Sequence, residues 1–143
     1  DLEFNFRLRQ SPGDLNSLGH LKFDFDNDFA VYMHGTPHQE LFDKADRHLS
    51  SGCIRLQDPE KFASILLNRT GSAWSDDRIS TQIDSGETKW LAVSPQLPVY
   101  VNYTTVFKDD AGNANFRNDI YGYDQLLMDV LRGKAHAVED KSL

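Results

Sequence analysis

The chain has 143 residues, the size of one ordinary domain that can bury a core. Its formal net charge of −7, with no basic patch, argues against a nucleic-acid partner, and no apolar run approaches the roughly 20 residues that cross a bilayer. A single cysteine excludes the internal disulfide framework of small secreted domains.

Leu2, Phe4, Phe6 and Leu8 alternate with Glu3, Asn5, Arg7 and Arg9, the period of a half-buried strand. The chain thus opens inside a strand pattern, without a Met or a signal segment, so a fragment of a longer protein is expected. Ser11-Pro12-Gly13-Asp14 marks a turn, and its loop runs to about Gly19. Leu21, Phe23 and Phe25 alternate again, Asp26-Asn27-Asp28 reads as a tight turn, and Phe29 to His34 returns. Residues 21–34 therefore read as a β-hairpin. On its second strand Phe29, Val31 and Met33 point one way, and Ala30, Tyr32 and His34 the other.

Residues 37–52 lack a clean period and read as a loop with one helical turn at most. Asp58-Pro59-Glu60 is a helix start, with Phe62, Ile65 and Leu66 as the apolar face and Gly71 as the cap. Ser75-Asp76-Asp77 starts a second short helix, with Ile79 and Ile83 one turn apart and Gly86 at its end. Lys89 to Val93 is a strand candidate. Val99, Val101, Tyr103, Thr105 and Phe107 alternate most strongly, followed by a turn at Asp109 to Asn113 and a return strand over Asn115 to Arg117. Residues 124–132 form a last helix with Leu127, Val130 and Leu131 on its apolar face and Gly133 at its cap. The polar tail over 134–143 is expected to fray. With no internal repeat or linker, 1–143 reads as a single mainly β domain with short α-helices, an α+β class.

The chemistry centres on Cys53, in Ser50-Ser51-Gly52-Cys53-Ile54-Arg55-Leu56, and on His34, nineteen residues earlier in Val31-Tyr32-Met33-His34-Gly35-Thr36. A thiol nucleophile acts as its thiolate, and a free thiol titrates near 8.5, so it needs a base or positive neighbours. Five histidines are available. His136 lies in the tail and His20 at a strand start; His48 lies close before Cys53 in a loop and is not excluded by spacing. His34 has the best setting, a strand end followed by a glycine that lets backbone and ligand approach closely. Gly52 fits a tight turn that exposes the thiol, with the N–H groups of Gly52 and Cys53 facing a developing oxyanion. The alternatives are a buried structural cysteine and a metal site from His34, His38, His48 and Cys53, whose spacing is weakened by Pro37. Arg55 fits either a salt bridge at the core edge or a carboxylate anchor. Asn68-Arg69-Thr70 and Asn102-Tyr103-Thr104 match a glycosylation pattern that is frequent by chance.

Tyr32-Met33-His34-Gly35-Thr36 followed by Ser51-Gly52-Cys53-Ile54-Arg55 resembles the signature of the L,D-transpeptidase catalytic domain, the YkuD family. Arg9-Gln10, Pro12-Gly13, Asn16, Leu18-Gly19, Lys22-Phe23 and Phe25, together with Ser50-Ser51-Gly52-Cys53, look like its YcbB-type periplasmic members, from about Leu8 to Tyr123. The resemblance implies a β-sandwich or mixed-sheet catalytic domain lacking upstream strands, in the bacterial cell envelope or periplasm, with roles in peptidoglycan biosynthesis and cell shape. It implies a transferase that forms a thioester on Cys53 from a donor tetrapeptide stem, releases D-alanine, and passes the acyl group to the amine of a second stem as a 3→3 cross-link. Carried over by residue, Cys53 is the nucleophile, His34 its base, and the Gly35 carbonyl orients the imidazole. Tyr32 lines the site and assists the oxyanion, Ser51 and Gly52 shape the turn, and Arg55 sits where other branches place Asn. Ser51 replaces the histidine of many branches. No cofactor and no metal are implied, and carbapenems are the expected covalent inhibitors. Two alternatives remain open. One is a hydrolase on the same site, acting as an L,D-carboxypeptidase or on a protein–peptidoglycan link. The other is a non-catalytic peptidoglycan-binding module.

Overall fold

In the computed structural model, which describes residues 6–69 and 71–133, the hairpin expected over 21–34 forms: β1 (Lys22–Phe23) pairs antiparallel with β2 (Met33–His34). Its turn is organised by Asn27, whose side-chain oxygen accepts from the N–H groups of Phe29 and Val31, both at 3.1 Å, while its amide donates to the Val31 carbonyl at 2.7 Å. Ala30 takes a positive φ of 53°, so the strand alternation starts only after it. A third strand, β3 (Ile54–Arg55), lies parallel to β2 and completes a mixed sheet in the order β1-β2-β3. The connection from β2 to β3 carries one 3-10 turn at Gln39–Asp43, matching the single turn expected there.

The chain forms two compact units, Asp1–Val99 and Tyr100–Leu143. In the first, α1 (Pro59–Arg69) and α2 (Asp76–Asp84) supply the core. Ala63, Leu67 and Ile79 are its buried centre, with Leu21, Phe23, Trp74 and Ile83 packed around them. The buried positions of α1 are Ala63, Ser64 and Leu67, not the expected Phe62, Ile65 and Leu66 set, and Ile65 is 49% exposed. Two neighbours turn the helix this way. Phe23 meets Phe62 edge-on at 5.1 Å between ring centroids, and the Ser64 hydroxyl donates to the Asp76 carboxylate of α2. The starts and stops follow the sequence: Ser75 caps α2 by accepting from the Arg78 N–H at 3.3 Å, and Gly71 and Gly86 take positive φ just past the helix ends.

Two strand expectations in this unit do not hold. Phe6 to Leu8 and Lys89 to Val93 carry no strand, because neither finds a ladder partner; residues 2–5 of the first pattern lie outside the described residues. The Arg9 guanidinium instead donates to the Thr88 hydroxyl at 3.0 Å.

In the second unit, β4 (Val106–Lys108) and β5 (Ala114–Phe116) form an antiparallel hairpin. Asp109 closes its turn: one carboxylate oxygen accepts from the Asn113 N–H at 2.8 Å and the other from the Asn115 amide at 3.1 Å. The Asn113 N–H foremost, then Asn115, hold that carboxyl below the ordinary carboxylate range. The alternation from Val99 makes a strand only from Val106, where Phe116 lies opposite it. The last helix, α3 (Tyr123–Leu131), forms as expected, but its expected apolar face is open: Leu127 is 58% and Leu131 71% exposed, while Asp129 is buried. Polar contacts at its start fix its roll. The Thr105 hydroxyl donates to the Asp124 carboxylate, and the Asp124 N–H donates to the Asp119 carboxylate, both at 2.7 Å. The tail over 134–143, expected to fray, lies outside the described residues. The described residues are thus α+β, with three helices and two small sheets.

Candidate active site

Register places the candidate residues. Lys22 lies opposite His34, and His34 opposite Arg55, while Phe23, Met33 and Ile54 form the neighbouring row. Partners across a ladder point to the same side of a sheet, and residues two apart on a strand share a face. Phe23 turns toward the core, so the opposite face carries Lys22, His34 and Arg55. Tyr32, two residues before His34, and Cys53, two before Arg55, extend that face. Two backbone bonds bracket the pair: Ile54 N–H to the Tyr32 carbonyl at 3.0 Å, and Leu56 N–H to the His34 carbonyl at 2.8 Å.

His34 is buried, and its Nδ1 lies 2.5 Å from the Gly35 carbonyl oxygen. A carbonyl only accepts, so Nδ1 carries the proton and Nε2 presents a lone pair. Gly35 is itself fixed, because its N–H donates to the Leu21 carbonyl at 2.9 Å. Behind it stands the loop over 10–19, wound by side chains onto its own backbone. Gln10 donates to the Leu15 carbonyl at 2.8 Å, and Asn16 donates to the Ser11 carbonyl and accepts from the Leu18 N–H, at 3.0 and 2.9 Å. The loop delivers Gly19, at φ +64°, onto the backbone of Gly35 and Thr36.

Cys53 is half-buried and is a free thiol. Gly52 before it has φ +140°, a conformation that favours glycine. The Ser50 hydroxyl donates to the Cys53 carbonyl at 2.7 Å and accepts from the Gly52 N–H at 3.3 Å. The Gly52 N–H is thus engaged by the Ser50 hydroxyl. Ser51 is exposed on the same turn. The Tyr32 ring lies 5.7 Å from the His34 imidazole, on the face of the sheet that Cys53 extends. Burial first, and then Cys53, push the Tyr32 phenol above its ordinary range, while the Lys22 ammonium opposes them.

A cleft of about 310 Å³ opens beside the thiol, lined by Cys53, Arg55, Arg47, Leu41, Phe42 and Leu49. The Arg55 Nε is buried without a hydrogen-bond partner among the described residues. The other described histidines are engaged with acids: His38 with Glu40 at 3.3 Å, His48 with Asp46, and His20 with both Asp14 and Glu60. His136 lies outside the described residues. Among those described, no three His, Cys, Asp or Glu side chains are grouped to hold a metal, so His34, His38, His48 and Cys53 are not brought together as one.

Sequence reasoning gave Lys22, Gly19 and Arg47 no role in the site, although Gly19 and Lys22 stand in the segment that carries the resemblance. Lys22 sits in the polar phase of β1, and the signal for it was the hairpin register, which sets it opposite His34. Gly19 carried the ordinary mark of a loop end. For Arg47 no periodic signal existed, since it lies in the irregular connection between β2 and β3.

The chain, with an oriented imidazole on β2 and a thiol just before β3, belongs to the L,D-transpeptidase catalytic domain family, whose YkuD model matches residues 2–101. Over 127 residues the chain is also 38% identical to a Haemophilus influenzae protein named as a candidate L,D-transpeptidase. That similarity covers 89% of this chain and 25% of the relative, so the chain spans about a quarter of the length of the curated protein it matches.

Proposed function

We propose that this chain carries the catalytic centre of a peptidoglycan L,D-transpeptidase, with Cys53 as nucleophile and His34 as base. The observation that supports it best is the His34 Nδ1 contact with the Gly35 carbonyl, because it leaves Nε2 as the nitrogen able to take a proton. His34 Nε2 takes the Cys53 thiol proton, and the sulfur attacks the carbonyl before the terminal D-alanine of a donor stem. The Cys53 N–H and the Tyr32 hydroxyl are the donors for the tetrahedral oxyanion. Collapse breaks the amide bond, His34 returns its proton to the departing D-alanine amine, and a thioester remains on Cys53. The side-chain amine of a second stem then attacks the thioester, giving a 3→3 cross-link and restoring the thiol. No metal or organic cofactor enters these steps.

Arg55 and Arg47 would meet the carboxylates of the stem, and the unpartnered Arg55 Nε supports that role. The work of the enzyme would lie in the cell envelope, where its substrate is.

Intact mass after incubation with a carbapenem tests the acyl-enzyme. One adduct on the wild-type chain, lost in Cys53→Ala and strongly slowed in His34→Ala, is expected. An adduct that survives Cys53→Ala, or no adduct on folded protein, overturns the reading. Loss of acylation in His48→Ala with His34→Ala unaffected reassigns the base. Stem peptides supplied with and without an amine acceptor separate transfer from hydrolysis: cross-linked product supports the transpeptidase, and release of D-alanine alone indicates a carboxypeptidase.

A further inference from the structure

Lys22 has no part in the chemistry above, yet it stands on the same face of the sheet as the thiol. It lies opposite His34 in the β1–β2 ladder. Its ammonium sits 4.1 Å from the centroid of the Tyr32 ring. Asp24 holds that ammonium from the other side, at 2.8 Å, and the Trp90 ring lies 6.0 Å away. A lysine so placed is restrained at both ends of its charge, by a carboxylate and by an aromatic face. We propose that Lys22 is a positioning residue of the thiol site, fixing the Tyr32 ring by a cation–π contact so that the phenol stays beside His34 on the face that carries Cys53.

Two physical consequences follow from this contact. A cation on the face of a phenol restrains the ring against tilting. It also draws electron density from the ring, which makes the hydroxyl a stronger donor to a thiolate or an oxyanion. The other charged and titratable groups near Tyr32 and Cys53 are Asp24 beyond β1, His34 on β2, Arg55 on β3 and Arg47 in the connection. Asp24 opposes the effect of Lys22 on the phenol, so the contact acts through ring placement as well as charge. The inference rests on Cys53 being the nucleophile, but not on the identity of the stem peptide.

Alkylation of Cys53 by iodoacetamide, followed by intact mass across about pH 5 to 9, reads thiolate formation without any peptide substrate. The wild type is compared with Lys22→Met, Lys22→Arg, Tyr32→Phe and the double variant Lys22→Met/Tyr32→Phe, each checked for folding by circular dichroism. Lys22→Met is expected to move the pH midpoint of alkylation upward and slow the reaction near neutrality about two- to fivefold. Lys22→Arg is expected to restore it, because guanidinium also stacks on a phenol. In the Tyr32→Phe background, Lys22→Met should change nothing further. Superimposable profiles for the wild type and Lys22→Met overturn the proposal, as does an undiminished Lys22→Met effect without the hydroxyl. If Lys22→Met does not fold, Lys22→Gln replaces it with the same expected outcomes. A wild-type Cys53 that alkylates normally but never accepts a stem peptide counts against the transpeptidase reading and leaves this one standing.

Discussion

Gly19 and Gly35 touch backbone to backbone: a Cβ added to Gly19 would fall 2.7 Å from the Gly35 carbonyl carbon and 2.6 Å from the Thr36 nitrogen. No real side-chain carbon approaches main-chain atoms so closely, and neither neighbour is a flexible tip that could yield. Gly35 bears the oxygen that meets His34, so this loop glycine lies one contact behind the candidate base.

Gly19→Ala should therefore push the Gly35 carbonyl away from the imidazole. The overpacking alone is expected to cost about 1–3 kcal/mol of stability, with a further loss from the positive φ. Carbapenem acylation should fall by more than the drop in folded fraction explains. A Gly19→Ala variant that folds and acylates at the wild-type rate would show that the contact is dispensable.

Gly52 poses a different kind of constraint. A Cβ there would meet the Val31 side chain at an ordinary 3.4 Å, so space is not the issue, but its φ of +140° is. Gly52→Ala should cost about 1–3 kcal/mol if the turn is kept, or swing Cys53 away from Tyr32 if it is not. Melting temperature and alkylation rate measured together tell these apart, and no change in either would remove the turn from the mechanism.

Arg55 offers a planar guanidinium, and lysine cannot reproduce its fork. For a donor stem, Arg55→Lys should lower kcat/KM by about 10- to 100-fold, the worth of one or two charge-assisted hydrogen bonds. The loss should appear mainly in KM. Amidation of the terminal carboxylate of the donor should erase most of the difference between the two proteins. If the amidated donor discriminates as strongly as the acid, Arg55 does not read that carboxylate.

His20 should make stability depend on pH. Its Nε2 lies 3.1 Å from Asp14 and its Nδ1 3.3 Å from Glu60, tying the loop over 10–19 to the first turn of α1. Burial works against the charge, but the hydrogen bonds to Asp14 and Glu60 outweigh it and raise His20 above its ordinary range. A group raised by folding stabilises the fold fully below its unfolded pKa of about 6.5 and loses that contribution as pH climbs through the raised value. The wild type should therefore lose more thermal stability than His20→Gln between about pH 6 and 8. Equal losses would show that the bridge contributes nothing.

The hairpin and the helix caps were legible because they rest on local rules. Alternation around Asp26-Asn27-Asp28, a Ser before two acids and a glycine past each helix act within a few residues. What lay beyond the sequence was set by pairing. Lys89 to Val93 and Val99 to Val101 have the alternation of strands but no partner, and a strand exists only as half of a ladder. The roll of α1 escaped because Ser64 looks polar until Asp76 arrives to accept its hydroxyl. In the site, Cys53 and His34 announced themselves by residue type. Lys22 and Gly19 did not, since a lysine on a strand and a glycine in a loop become informative only when the register and the loop bring them to Tyr32 and Gly35.

The contact between His34 and the Gly35 carbonyl bears on how such a site can be lost. Where a carboxylate side chain steadies a catalytic histidine, one codon change at the acid removes the support. Here the steadying oxygen belongs to the main chain and is present whatever residue the gene encodes at that position. Genetic damage to this support must come through backbone position, as a bulky residue at 19 or a distorted hairpin. The sites where inactivating mutations accumulate should accordingly lie among small loop residues as much as among the reactive side chains.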